Sequence, residues 1–296
     1  MAFPDARPFL SVGKICMVTM KNKAIQPAIT VSIVLFRPDM AALERLLCSI
    51  QPALKGNSSG YALAFSAEVV LIDHSDASLS AECLARLRTQ TDHALAIRYF
   101  HTKANPGLGA GHNRAFEDVS SSRYFLVTNP DLEFLPGSLA CAVQYLDSNP
   151  DIGLLAPALC DLPDTLRPAC FRYPDLLTLL SRLIGGALAA KRSYRYECRD
   201  WEPATLRANP RLVSGCCMFF RSTTYQSLGG FDTGFFLYFE DFDLSMRAAK
   251  ITQSVYHPGV GVKHAGGGAG RKGWRHALMF LCSARRFFAK HGWRWV

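Results

Sequence analysis

Four short apolar runs, set roughly 30 residues apart and separated by helix-like stretches, constrain this chain more than any other feature. They are Thr30–Phe36, Glu68–Ile72, Ala96–Phe100 and Tyr124–Val127. Pro38–Asp39 opens a helical stretch through Leu54, Asn57–Gly60 reads as a polar loop, Leu84–Arg88 lies in a second helix, and Gly109–Phe116 starts a third. Strands alternating with helices predict a parallel α/β sheet. Such sheets bind ligands at the carboxyl ends of their strands, so the polar residues just after each run carry the information. The second half is less regular. Gly153–Leu159 and Val213–Arg221 read as strands, Asp175–Ala190 as a leucine-rich helix weakened at Gly185–Gly186, and Leu244–Lys250 as a helix after the aromatic and acidic stretch Gly229–Asp243.

Three strand ends stand out. Val70–Ser75 places Asp73 after the second run, where a carboxylate can accept hydrogen bonds from a ribose or a base. Asn105-Pro106-Gly107-Leu108-Gly109-Ala110-Gly111-His112-Asn113 follows the third. A glycine-rich helix start lets backbone N–H groups approach a diphosphate, although this G-x-G-x-G is neither the dinucleotide fingerprint nor a P-loop. Asn129-Pro130-Asp131 follows the fourth, and a carboxylate there can hold a divalent metal against a diphosphate. Taken singly, these are a tight turn, a helix cap and a turn; their occurrence at successive strand ends argues for one site. Further on, Phe239-Glu240-Asp241-Phe242-Asp243 crowds three acids into four positions. Like charges so close need a cation, a metal or a catalytic reason. Asp243 is explained by helix capping with Arg247 one turn on; Glu240 and Asp241, in an aromatic context, are not. His264 precedes Gly266-Gly267-Gly268, a glycine segment able to close over a ligand.

In order along Ile29 to His264, these blocks resemble the family 2 glycosyltransferases of the GT-A fold, especially their bacterial rhamnosyltransferase-like branch. The matching pieces are Val31–Phe36, Ile72–Ser75, Asn105–Phe116, Leu126–Asp131, Val213–Arg221, Gly229–Leu244 and His264. The resemblance implies a Rossmann-like, mostly parallel sheet flanked by helices. It implies an inverting transfer of a sugar, L-rhamnose from dTDP-rhamnose in the first instance, from a nucleotide-diphosphate donor to a lipid-linked or cell-surface glycan. It assigns Phe36, Asp73, Asn105, Gly107, Asn113, Asn129 and Asp131 to the donor, Asp131 and His264 to a Mg²⁺ or Mn²⁺ ion, and Asp241 to the general base. Two departures matter. The first strand ends in Leu35-Phe36-Arg37 where the family has Thr-Tyr-Asn, and Asn129 replaces the first acid of the family's D-x-D. The expected layout is an N-terminal extension over 1–28, a nucleotide-sugar half over 29–133, an acceptor and catalytic half over 134–264, and a basic tail over 265–296.

Hydrophobic residues are 49% of the 296 and charged residues 19%, enough apolar surface for a sizeable core. No apolar stretch reaches a membrane-spanning length, and Met1–Gln26 lacks the compact apolar run of a signal peptide. Ten cysteines without CxxC pairs suggest reduced thiols and a cytoplasmic location, and give a zinc site little support. From Leu244 onward there are 10 Lys or Arg and no acid, while the rest carries 33 − 10 = 23 basic against 24 acidic residues. A helix over Gly273–Lys290 would put Trp274, Leu278, Leu281 and Phe288 on one face and Arg275, Arg286 and Lys290 on another. That pattern suits either a helix packed on the core or an interfacial helix at an anionic membrane surface. No nucleic-acid module is present, so nucleic acid is not an expected partner. A nucleotidyltransferase would need a basic glycine-rich turn after the first strand, which Leu35-Phe36-Arg37-Pro38 does not supply. An inactive membrane scaffold would have no use for Asp131, Asp241 and His264.

Overall fold

The computed structural model describes residues 27–58, 61–91, 95–118, 122–161, 165–184, 186–264 and 274–295. The proposed extension up to residue 26 and the glycine segment after His264 lie outside the described residues. In chain order the first half holds β1 (Ile29–Leu35), α1 (Met40–Leu54), β2 (Lys55–Ser58), β3 (Tyr61–Ala64), β4 (Ala67–Asp73), α2 (Ala81–Gln90), β5 (Ala96–His101), α3 (Leu108–Asp118), β6 (Tyr124–Thr128) and β7 (Leu132–Phe134). There follow α4 (Ser138–Ser148), β8 (Ile152–Asp161), β9 (Thr165–Pro168), β10 (Cys170–Phe171), α5 (Leu176–Ile184), α6 (Ala187–Tyr196), β11 (Arg207–Ala208), β12 (Leu212–Val213), β13 (Cys217–Arg221), α7 (Ser222–Ser227), α8 (Glu240–Ala248), β14 (Gln253–His264) and α9 (Trp274–His291).

The four runs of the first half form the parallel order β5–β4–β1–β6. β1 sits centrally, every residue buried, which explains its unbroken β-branched and apolar sequence. Successive strands lie to one side of β1 and β6 to the other, which creates a crevice at their carboxyl ends. β13 then adds antiparallel to β6, with Cys217 opposite Thr128, so the start of β13 arrives at the edge where β6 ends. β8 follows antiparallel to β13, and β14 parallel to β8. β7 pairs antiparallel with the far end of β14, His264 opposite Leu132.

Apolar side chains of α1 and α4 cover one face of the sheet, including Leu43, Leu46, Leu139 and Val143. The other face packs Val34, Ile72, Phe125 and Val127 against Tyr225, Phe231 and Leu244. An aromatic layer of Phe235, Phe239, Phe242, Phe287 and Phe288 joins α9 to the segment before α8. Two local expectations change. Asn57 and Ser58 of the expected polar loop lie in β2, which pairs antiparallel with β3. The leucine-rich helix is two helices, because Gly186 takes φ +94 and turns the chain between α5 and α6. Among the described residues no helix is long and apolar enough to cross a membrane, and the nine described cysteines are free thiols.

Candidate active site

The crevice at the strand ends is braced by its own polar groups. Asp73, fully buried, accepts from the Ser75 N–H at 2.9 Å and from the Tyr99 hydroxyl at 2.7 Å. Burial and this donation push the Tyr99 phenol up to about 12, so the proton stays on Tyr99. Phe36, at the end of β1, is exposed. Arg37 takes φ 49 and its N–H donates to Ser75 Oγ at 2.7 Å, tying the ends of β1 and β4 together. Asn105 Oδ1 accepts from the Gly107 N–H at 3.0 Å. Gly107 has φ +103, and a Cβ there would lie 2.5 Å from the Phe236 carbonyl oxygen. Only glycine fits that turn, and it lets the Leu108 N–H donate to the same carbonyl at 3.0 Å. The third strand end is therefore docked on the segment leading to Glu240.

Asn113 is placed differently from its expected donor contact. Its Oδ1 accepts from Tyr225 Oη and the Phe231 N–H, both at 2.8 Å, and its Nδ2 donates to the Phe231 carbonyl at 2.9 Å. All these bonds run to the turn around Gly230, so Asn113 is a brace that holds this turn on α3.

Asn129 and Asp131, His264, and Asp241 come together from three parts of the chain. The Asn129 N–H donates to the Cys216 carbonyl at 2.9 Å, and the neighbouring Gly215 N–H donates to Asp241 Oδ2 at 2.7 Å. The β7–β14 pairing brings His264 Nε2 to 3.6 Å from Asp131 Oδ2, while Asp131 Oδ1 is buried without a partner among the described residues. Burial above all pushes the Cys216 thiol up to about 11; the charges of Asp241 and Asp131 add to this, against a Ser214 hydrogen bond and Arg167. One small stretch, Ser214-Gly215-Cys216, thus bonds Asp241 through Gly215 and the Asn129 backbone through Cys216. Sequence reasoning gave Gly215 and Cys216 no role. The signal was present only as small residues just before an apolar strand.

The residues entering α8 are strained, with Tyr238 at φ 70 and Phe239 at φ 64. Left-handed backbone at two aromatic residues persists only where packing over-determines it, and such strain collects at functional sites. It delivers a buried Glu240 and a half-buried Asp241. Burial raises the Glu240 carboxyl, the charge of Asp241 raises it further, and its Oε2 has no partner among the described residues. Burial also raises Asp241, but the N–H groups of Gly215 and Phe242 oppose the rise by donating to its carboxylate at 2.7 and 2.9 Å. The pair therefore keeps its last proton on Glu240 and presents Asp241 as the anion.

No family model matches the chain. The N-acetylglucosaminyl-diphospho-decaprenol L-rhamnosyltransferases of two Mycobacterium tuberculosis strains are 26% identical to it over 179 residues, 57% of this chain and 58% of theirs. The chain thus spans little more than half the length of these curated relatives. A mannosyltransferase from Pyrobaculum calidifontis, solved with GDP-Man and Mn²⁺, aligns with a TM-score of 0.56 at 18% identity, over 89% of this chain and 65% of the other. The chain has the GT-A fold. GalNAc-T7, solved with UDP, GalNAc and Mn²⁺, also gives 0.56, at 13% identity over 81% of this chain and 43% of that one.

On this GT-A frame the C-terminal helix divides its residues between two environments. Ser283, Ala284, Phe287 and Phe288 of α9 are buried in the aromatic layer. Arg286 and Lys290, expected on a free basic face, instead pair with Asp232 at 3.0 and 2.9 Å. Asp243, fully buried, accepts from Arg247 at 2.8 Å and from Lys290 and His291 at 2.7 Å each, binding α8 to α9. Opposite charges drew these side chains inward. Trp274, Leu278 and Leu281 remain exposed toward the start of the helix, whereas Phe288, two turns beyond Leu281 on the same face, is buried in the aromatic layer.

Proposed function

We propose that this chain is an inverting glycosyltransferase that moves a sugar from a nucleotide-diphosphate donor to a hydroxyl of a lipid-linked glycan, with dTDP-L-rhamnose as the donor. The observation that carries the reading is the meeting of two segments at the carboxyl end of β6: Asn129, two residues before Asp131, bonds the Cys216 carbonyl, and the adjoining Gly215 N–H bonds Asp241. The rhamnosyltransferase name of the curated relatives supplies the donor sugar and a lipid-diphosphate acceptor.

The donor's base and ribose lie at the ends of β1 and β4, beside exposed Phe36 and the Asp73 carboxylate held in place by Tyr99. Asn105 and Gly107 shape the turn along which the diphosphate runs, with backbone N–H groups of the α3 start toward it. Asn129 supplies an amide where the family's motif has an acid. The unpartnered Asp131 Oδ1 and the nearby His264 imidazole form an oxygen and nitrogen donor set that fits Mg²⁺ or Mn²⁺. Such an ion would neutralise charge developing on the leaving diphosphate. Among the described residues no group of three or more His, Cys, Asp or Glu could hold a metal by itself, so donor oxygens complete the shell.

Asp241 is the general base. Its carboxylate is ionised while Glu240 stays protonated, and it removes the proton from the acceptor hydroxyl as that oxygen attacks the anomeric carbon from the face opposite the diphosphate. The C–O bond to the diphosphate breaks as the new one forms, which inverts the centre in one displacement. The exposed Trp274, Leu278 and Leu281, with Arg275 beside them, hold the enzyme peripherally at the inner face of the cytoplasmic membrane. A donor-hydrolysis screen over sugar nucleotides, with Mg²⁺ and with Mn²⁺, tests the reading. Turnover of dTDP-rhamnose that disappears in Asp241→Asn is expected. Release of pyrophosphate from a nucleoside triphosphate, with no sugar nucleotide consumed, overturns it.

A further inference from the structure

Beyond Asp241, the second half forms a cleft that the steps above leave unused. Arg172 and Tyr173 follow β10, Asp175 caps the start of α5, and α6 returns Arg192, Arg195 and Tyr196 opposite them. These residues line a cleft of about 290 Å³. Aromatic contacts fix its distance from the chemistry. The Tyr196 ring lies 5.2 Å from that of Phe171, which lies 5.3 Å from that of Phe242, the residue after Asp241. Burial raises the Tyr196 phenol well above its ordinary range, and the charge of Asp241 is among the further causes.

The cleft holds more positive charge than its own acids neutralise. Arg172 binds Asp200 through two nitrogens at 2.6 and 3.0 Å, and Arg192 binds Asp175 at 2.8 Å. Asp175 is fully used, since it also accepts from the Thr178 N–H and hydroxyl, both at 2.7 Å. Arg211 and Arg294 lie over the Tyr173 ring at 5.8 and 4.6 Å. Arg195 is exposed, and among the described residues its side chain makes no hydrogen bond or ion pair. Three arginines (172, 192 and 195) line the cleft; Asp200 and Asp175 neutralise the first two, and the charge of Arg195 is left over, with Arg211 and Arg294 beside it on the Tyr173 ring. The planar guanidinium fork matches phosphate oxygens in pairs.

The rim of the same cleft is apolar. Leu177 and Leu180 are exposed on one face of α5, and Trp293 and Trp295 are exposed on the segment after α9. The two elements are stitched together by Leu176 N–H to the Arg294 carbonyl at 2.9 Å and Leu177 N–H to the Trp295 carbonyl at 3.4 Å. Exposed leucines and tryptophans beside a surplus of arginines suit a ligand with a phosphate head and a hydrocarbon chain.

We propose that this cleft binds the diphosphate of a polyprenyl-diphosphate-linked acceptor, with Arg192 and Arg195 on phosphate oxygens and Leu177, Leu180, Trp293 and Trp295 along the isoprenoid chain. The proposal rests on the reading that the acceptor is lipid-linked. The acceptor then lies with its sugar hydroxyl at Asp241, its diphosphate one sugar further along at the arginines, and its chain leaving over the rim toward the bilayer.

Farnesyl diphosphate is the probe, titrated into the full chain without donor and with a chelator present, so that the donor-side diphosphate pocket lacks its cation. Trp201, with the Arg172 guanidinium 6.0 Å from its ring, reports binding through its fluorescence. Saturable binding is expected. Arg195→Ala should weaken farnesyl diphosphate and inorganic pyrophosphate alike by roughly tenfold. Trp295→Ala should weaken farnesyl diphosphate and leave pyrophosphate unchanged. The proposal is overturned if farnesyl diphosphate does not saturate, if Arg195→Ala binds it as the parent does, or if farnesol binds equally well. None of these outcomes needs turnover, so loss of this site and failure of the glycosyltransferase reading are read out separately.

Discussion

Gly215 has no polar side chain, yet the position of Asp241, the proposed base, depends on it. A Cβ added there would stand 2.9 Å from Asp241 Cβ and 3.1 Å from Asp241 Oδ2. Non-bonded carbons settle at about 3.5–4.0 Å, so Gly215→Ala must open the carbon pair by about 0.6–1.1 Å, the difference from 2.9 Å. Neither backbone yields easily. The Gly215 N–H is held by the carboxylate at 2.7 Å, and α8 is anchored through Ser245 Oγ, which accepts from the Val213 N–H at 3.0 Å and donates to the Asp241 carbonyl at 2.8 Å. The shift therefore falls on the Asp241 side chain. Misplacing a reacting group by about 1 Å costs on the order of 10²-fold, so kcat should fall by roughly 10–100-fold. The donor KM should hold, because Asp131 and the strand ends are untouched. Overpacking costs about 1–3 kcal/mol, and each kcal/mol lowers the melting temperature by about 2–4 °C. Steady-state transfer with varied dTDP-rhamnose, run beside thermal melts, measures both. A folded Gly215→Ala enzyme with kcat within about twofold of the parent would refute the reasoning, because the Gly215–Asp241 contact would then not position the base.

Further outcomes concern the metal, the two acids and the membrane. Chelation, Asp131→Ala and His264→Ala should each reduce transfer to near background, and activity that survives chelation in Asp131→Ala removes the metal from the scheme. Asp241→Asn should bind donor nearly as the parent does and lose turnover by on the order of 10²–10⁴-fold, with Glu240→Gln much milder. Because burial raises Asp241, the acid limb of the rate profile should lie above the ordinary carboxylate range and persist in Glu240→Gln. Glu240 is likewise raised by burial, so the folded state loses stability as pH climbs from the unfolded Glu range through the raised one. Glu240→Gln should consequently melt higher than the parent at alkaline pH, a gain that fades toward acid; a gain confined to acid pH contradicts this. Finally, replacing Trp274, Leu278 and Leu281 together by serine should abolish sedimentation with anionic vesicles at low salt while leaving the melt intact. Point changes are the right tool here, since deleting α9 would remove Phe287 and Phe288 from the core.

Much of the frame is written locally. The apolar runs of β1, β4, β5 and β6 and the helices between them follow from periodicity, which the backbone imposes on any few residues. Gly107 is legible because a turn that demands φ +103 selects its own residue. Asp73, Asp131 and Asp241 stand out in the sequence because acids at strand ends and in an aromatic stretch need a reason to be there. What tertiary structure alone decided is which polar atoms remain free. The β7–β14 pairing brings His264 to Asp131, and the register of β13 on β6 sets Cys216 on Asn129 and Gly215 on Asp241. Asn113 looked like a ligand contact, but the Gly230 turn uses its amide. Arg286 and Lys290 suited either a core-packed helix or a lipid-facing one, and Asp232 and Asp243 lie within reach only once α9 docks. A sequence fixes the donors and acceptors that each residue carries; long-range packing determines which of them are satisfied within the protein and which are left for a ligand.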